Sequence, residues 1–181
     1  MVTWLESIIA DVEGGLSIQW KTFSLEQQNS KESPDFMMWE NPDYPSQGFM
    51  ALVAAKAAKN QGESSFLRFH LATFKARHDE GKDIGDLEVL KEIAKQTDLD
   101  LVRFEQDVAR DETWQAAGED HTESKKKYNI FGVPTLVFEQ GESVFVKLQS
   151  IPESREERIS LFELISDMGA KRPYLLELKR P

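Results

Sequence analysis

The sequence predicts a mixed α/β chain in which a helical block interrupts a sheet-bearing body. Three observations carry this. A short apolar helical repeat at the start gives way, after two glycines, to an alternating segment. From Ser46 to about Tyr128 every apolar repeat is helical. Beyond Pro134 the period returns to two, and an amphipathic helix closes the order.

Taken in order, Trp4, Leu5, Ile8, Ile9 and Val12 recur at helical spacing and predict a helix over 3–13, ended by Gly14-Gly15. Leu16, Ile18, Trp20 and Thr22 alternate with Ser17, Gln19, Lys21 and Phe23, which predicts a strand over 16–23. Residues 27–45 are rich in Asn, Ser and Pro and form a long connection. Ser46 is the expected cap of a helix through Phe49, Leu52 and Val53, stopped by Gly62. Ser64 or Ser65 caps the next, with Phe66, His70 and Phe74 on one face. Asp86 and Asp100 cap two more, and a fifth runs from Trp114 to Tyr128. Thr135–Phe138 and Ser143–Leu148 are predicted strands joined by a hairpin at Glu139–Glu142. Ile159, Phe162, Ile165 and Met168 mark the last helix, and the tail 173–178 is apolar enough to dock on the body.

Composition narrows the function. The chain has 181 residues, enough for one domain or a core with an insertion. Its net charge of −10 repels phosphate backbones and anionic lipid heads, so neither nucleic acid nor a membrane surface is an expected partner. No apolar run approaches bilayer length, and the start has no basic region and apolar core of a signal peptide; the expected location is cytoplasmic. With no cysteine, the chain as written supports neither thiol redox chemistry nor a cysteine–zinc site. Its three histidines are scattered, so no metal ligand is named.

The sharpest local signal is Phe131-Gly132-Val133-Pro134-Thr135, set directly before a strand. A proline at a strand's first residue costs no ladder hydrogen bond. Together with Trp4-Leu5, Ile18 to Leu25 with Asn29, Phe69-His70-Leu71-Ala72-Thr73-Phe74 and the tail Pro173-Tyr174-Leu175-Leu176-Glu177-Leu178-Lys179-Arg180, it resembles the DsbA-like thioredoxin superfamily. The nearest branch is the bacterial one of mycothiol-dependent nitroreductase-type enzymes and polyketide-associated dithiol isomerases.

That resemblance implies a thioredoxin-like core at residues 1–30 and 130–181, with an all-helical insertion at 31–129. The first strand and its Cys-x-x-Cys motif are absent, and their expected place is upstream of Met1. It implies a cis Val133–Pro134 peptide, with Val133, Pro134 and Thr135 binding an extended substrate. The implied activity is thiol–disulfide exchange with a low-molecular-weight thiol or a protein thiol or disulfide, inactive in the chain as written. No cofactor is implied, and a homodimer is compatible. The alternatives are a kappa-type glutathione transferase or chromene carboxylate isomerase, whose serine would also lie upstream, and a non-catalytic binding module using the Pro134 loop.

The remaining polar and aromatic residues read as structure. His70 is a packed, half-buried histidine, His78 sits at a helix end, and His121 follows Glu119-Asp120 as a surface residue. Lys125-Lys126-Lys127 is a solvated face. Trp39 and Trp114 are core residues, with a ligand cleft between core and insertion as the alternative. No nucleophile–base pair emerges from spacing, so no catalytic residue is assigned.

Overall fold

The computed structural model describes residues 2–9, 11–12, 15–139, 141–172 and 174–175. The chain divides into two compact units, one of residues 1–20 and 124–181, the other of residues 21–123.

The first unit contains α1 (Val2–Glu6), a hairpin of β1 (Thr135–Val137) and β2 (Ser143–Phe145), and α8 (Arg155–Lys171). The expected helix over 3–13 is shorter. The Ile8, Ile9 and Asp11 N–H groups donate to carbonyls three residues back, and Gly15 stands at φ +78°. Trp4, Leu5 and Ile8 are buried with Val146 and Ile165, and Leu136, Phe138, Val144, Ile159 and Phe162 pack onto them. The Trp4 indole N–H donates to the Arg158 carbonyl at 3.0 Å, satisfying the one polar atom of a fully buried ring. Ser154 caps α8, its hydroxyl accepting from the Glu157 N–H.

The hairpin is antiparallel, with Thr135 opposite Phe145, Leu136 opposite Val144 and Val137 opposite Ser143. Leu136 and Val144 face the core, while Val137 and Phe145 face out. The predicted strands over 135–138 and 143–148 are therefore present but shorter.

The predicted strand over 16–23 is not formed, and this expectation is corrected. Its burial does alternate: Leu16, Ile18 and Trp20 are half-buried against the core cluster, and Ser17, Gln19 and Lys21 are exposed. A strand also needs a neighbour, and among the described residues the only ladder is β1 with β2. Of the tail expected to dock, only Tyr174 and Leu175 are described, and both are exposed; Pro173 and 176–178 lie outside the described residues.

The second unit is helical: α2 (Leu25–Gln28), a 3-10 turn at Met38–Glu40, α3 (Phe49–Lys59), α4 (Glu63–His78), α5 (Leu87–Gln96) and α6 (Leu101–Val108). Most of α7 (Asp111–Tyr128) belongs to it, and its last turn belongs to the first unit. No strand interrupts residues 49–128. Helix α3 packs against α4, α5 and α6. Its buried alanines 51, 54, 55, 57 and 58 let those neighbours come close. Asp86 and Asp100 cap α5 and α6 as expected, accepting from the Glu88 and Arg103 N–H groups. The expected caps elsewhere shift. Helix α4 starts after Gly62, and α3 after Gly48, although the Ser46 hydroxyl still accepts from the Phe49 N–H at 2.6 Å. Among the described residues no helix is long and apolar enough to cross a membrane.

Candidate functional site

Val133, Pro134 and Thr135 form the entry to β1, and the Val133–Pro134 peptide is cis. The turn is locked from within: the Thr135 hydroxyl donates to the Gly132 carbonyl at 2.7 Å, and the Val146 N–H donates to the Pro134 carbonyl at 3.0 Å. At the other end of β1 the Phe138 N–H donates to the Glu142 carbonyl at 2.9 Å. These two bonds fix the parity of the ladder. Thr135 and Val137 are in non-hydrogen-bonded pairs with β2, so their own N–H and C=O groups point off the opposite edge of the sheet. Among the described residues no hydrogen bond reaches the Val133 backbone either. The loop thus continues into an edge that has no ladder partner among the described residues and whose backbone donors and acceptors alternate along the strand.

Beside that edge lies a feature the sequence reasoning did not single out. Phe131 is 67% exposed and Phe145 41%, and their ring centroids are 5.3 Å apart. Val133 and Val137 extend the apolar surface. The signal for Phe145 was present, since alternation in Val144-Phe145-Val146 turns it outward. Phe131 stands in a turn, where periodicity says nothing.

The second unit holds a separate polar cluster on α7. Asp120 is buried and accepts from the Thr22 N–H at 2.9 Å, the Lys21 ammonium at 3.0 Å and the Lys56 ammonium. Burial pushes its carboxyl up, and the hydrogen bonds from Lys56, Thr22 and Lys21 outweigh this and hold it below the ordinary value. The expectation that His121 is a surface residue is corrected: it is 3% exposed. Its ring packs on Phe23 and Trp39 at 4.5 and 5.8 Å, and its Nδ1 accepts from the Ser24 N–H at 3.2 Å. One position along a helix from Asp120 turns a side chain by about 100°, which carries His121 onto the aromatic face. The cluster anchors the segment entering α2.

His70 is half-buried between Phe66 and Phe74, as expected, and burial pushes it down to about 4. His78 ends α4, and Lys125–Lys127 are exposed. Trp39 is buried, and Trp114 lines a hollow of about 230 Å³ with Met38, Tyr44, Phe49 and Met50. Both tryptophans lie within the second unit. Among the described residues no three His, Asp or Glu side chains gather as metal ligands.

A family model described as thioredoxin matches residues 16–155, which include the extended segment at 16–20, the helical block and the hairpin. The chain belongs to the thioredoxin family. No curated protein matches it.

Proposed function

We propose that this chain is the substrate-binding body of a DsbA-like thiol–disulfide oxidoreductase, of the branch with mycothiol-dependent nitroreductase-type enzymes and polyketide-associated dithiol isomerases. In this reading residues 1–30 and 130–181 are the core, 31–129 is a helical insertion, and the attacking thiolate belongs to a strand outside the 181 residues.

One observation supports it most. The β1 strand and the segment 16–19 pack side chains on the same core cluster, and β1 pairs only with β2 among the described residues. Unpaired strand backbone is a template for another strand. An added strand running antiparallel to β1 and leading into α1 would pair with both, and would bring a thiol close to Val133, Pro134 and Thr135. Val133, Pro134 and Thr135 would bind an extended substrate at this loop, through the Val133 backbone. The thiolate then attacks one sulfur of the substrate disulfide, a new S–S bond forms as the old one breaks, and the departing thiolate takes up a proton. A second thiol resolves the mixed disulfide. Since the chain has no cysteine, the 181 residues alone carry out none of these steps.

The test is to read the genomic codons upstream of Met1 and assay the extended protein for disulfide exchange. A strand ending in Cys-x-x-Cys, or a one-cysteine variant, with exchange activity is the expected result. A serine there would move the protein to the kappa-type glutathione transferase class. Neither residue would leave a binding module and overturn the oxidoreductase reading.

A further inference from the structure

We propose that the hollow lined by Trp114, Phe49 and Met50 is a binding site for a small aromatic amine of the size of 2-phenylethylamine, its ring against those side chains and its ammonium at the Gly85 edge. All the lining residues belong to the second unit, so this site stands apart from the oxidoreductase reading of the Val133–Thr135 loop.

The walls suit a ring. Close-packed interiors leave few voids larger than a water molecule, and here about 230 Å³ stays open among side chains that are held in place. The Trp114 indole N–H donates to the Val108 carbonyl at 2.9 Å, so Trp114 offers a ligand its ring, centred 5.6 Å from that of Phe49. On the facing connection the Tyr44 hydroxyl donates to Glu32 at 3.3 Å and its ring packs on Phe36. Met50 adds a polarizable thioether that adapts to an aromatic guest. The Glu26 carboxylate ties down Ser46, Gln47 and Phe49, which keeps this wall from closing. A dry cavity of roughly 150 Å³ takes one benzene. In proportion, about 230 Å³ admits about nine non-hydrogen atoms, a benzene ring with a two-carbon amine.

The rim selects the charge. Three oxygens crowd the side of Gly85 where a side chain would stand: the Ser46 and Gln47 carbonyls and the Asp83 carboxylate lie 2.8, 3.3 and 3.2 Å from the position of a Cβ. Among the described residues no hydrogen bond is donated to either carbonyl. The carboxylate accepts from the Gly85 N–H at 2.9 Å and has lone pairs to spare. An ammonium, with three donors and no acceptor, matches such a rim, whereas an anion meets only acceptors there. The surroundings agree. Between Lys31 and Lys56 the chain has no basic residue, while Glu32, Asp35, Glu40 and Asp43 are acidic. Lys82, beside Asp83, is paired with Glu80 at 2.9 Å.

The experiment titrates 2-phenylethylamine, 2-phenylethanol and 3-phenylpropionate separately into the 181-residue protein at pH 7, followed by amide and indole N–H shifts. The amine should bind saturably and shift Gln47, Gly85 and the Trp114 indole N–H, a resonance that Trp114→Phe identifies. The alcohol should bind about fivefold more weakly, and the carboxylate not at all. Asp83 is exposed, so Asp83→Asn keeps the fold; it should weaken the amine about fivefold, as for a partly exposed charge pair, and leave the alcohol unchanged. Gly85→Ala should abolish binding of both, because its Cβ would stand against the Ser46 carbonyl. If Gly85→Ala fails to fold, Asp83→Asn decides alone. No saturable binding of the amine, equal affinity for the amine and either other probe, or an Asp83→Asn variant that binds the amine as tightly as the parent overturns the inference.

Discussion

The Asp120 carboxylate on α7 accepts a hydrogen bond from the backbone N–H of Thr22 at 2.9 Å, a bond that a sheet neighbour would otherwise supply. Lys56 and Lys21 complete the site. Replacing Asp120 by Asn leaves Lys56, which is 18% exposed, without its counter-charge. Removing one partner of a buried pair costs several kcal/mol, and the partial exposure of both lysines reduces that here to about 2–3 kcal/mol. Urea unfolding at pH 7 measures it. The carboxyl is held below its ordinary 3.8, so its contribution is present above that value and is lost as pH falls through the lower folded value. The gap between parent and Asp120→Asn should therefore close only below about pH 4.

His70 gives the opposite region of the pH axis. Burial lowers it from 6.5 to about 4, so the folded state keeps it neutral while the unfolded chain takes up a proton. Stability should fall as pH drops below 6.5, by about 1–2 kcal/mol on reaching pH 4, the half-buried ring retaining some water. His70→Leu should flatten that part of the profile. A slope unchanged by the substitution would show that His70 is not the group responsible.

Gly118 is in the interior of α7, where Ala would ordinarily stabilise a helix by about 1 kcal/mol. A Cβ at this position would run into the Trp39 indole, which is itself buried. Gly118→Ala should lower stability by about 1–3 kcal/mol, the range of overpacking. Thermal unfolding distinguishes the two signs directly.

Glu26 on α2 closes the start of α3. Its carboxylate accepts from the N–H groups of Gln47, Gly48 and Phe49 at 2.7, 3.2 and 3.2 Å, and from the Ser46 hydroxyl at 2.6 Å. Glu26→Ala should cost about 1–2 kcal/mol, as for loss of a strong helix cap, and Glu26→Gln should restore part of it. Faster proteolysis within 29–47 in the Ala variant, and an intermediate rate in the Gln variant, are the expected readouts.

Local chemistry explains what was legible in the sequence. Asp86, Asp100 and Ser154 carry hydroxyls or carboxylates that find their helix N–H groups within three residues, so helix starts could be seen without tertiary knowledge of any kind for the first two. Thr135–Val137 and Ser143–Phe145 pair across a short hairpin, again a local event. Leu16 to Trp20 shows the limit. Its alternation correctly indicated which side is buried, but a ladder depends on a neighbour distant in sequence, and none is formed among the described residues. His121 shows another. An acidic flank suggested solvent, while its burial is set by Phe23 and Trp39, both distant in sequence, which spacing does not encode. At the candidate site, Gly132 to Thr135 could be read from their motif, whereas the Phe131–Phe145 contact depends on how the hairpin folds back.

The most direct measurement is amide hydrogen exchange at Thr135, Leu136 and Val137, compared between the 181-residue chain and the protein extended upstream of Met1. Leu136 pairs with Val144 and should be protected in both proteins. Thr135 and Val137, whose N–H groups point off the open edge, should exchange quickly in the 181-residue chain and slow by about a hundredfold or more when an added strand pairs with them. Thr135 and Val137 exchanging equally fast in the extended protein would contradict the account, because no outside strand would then complete the sheet.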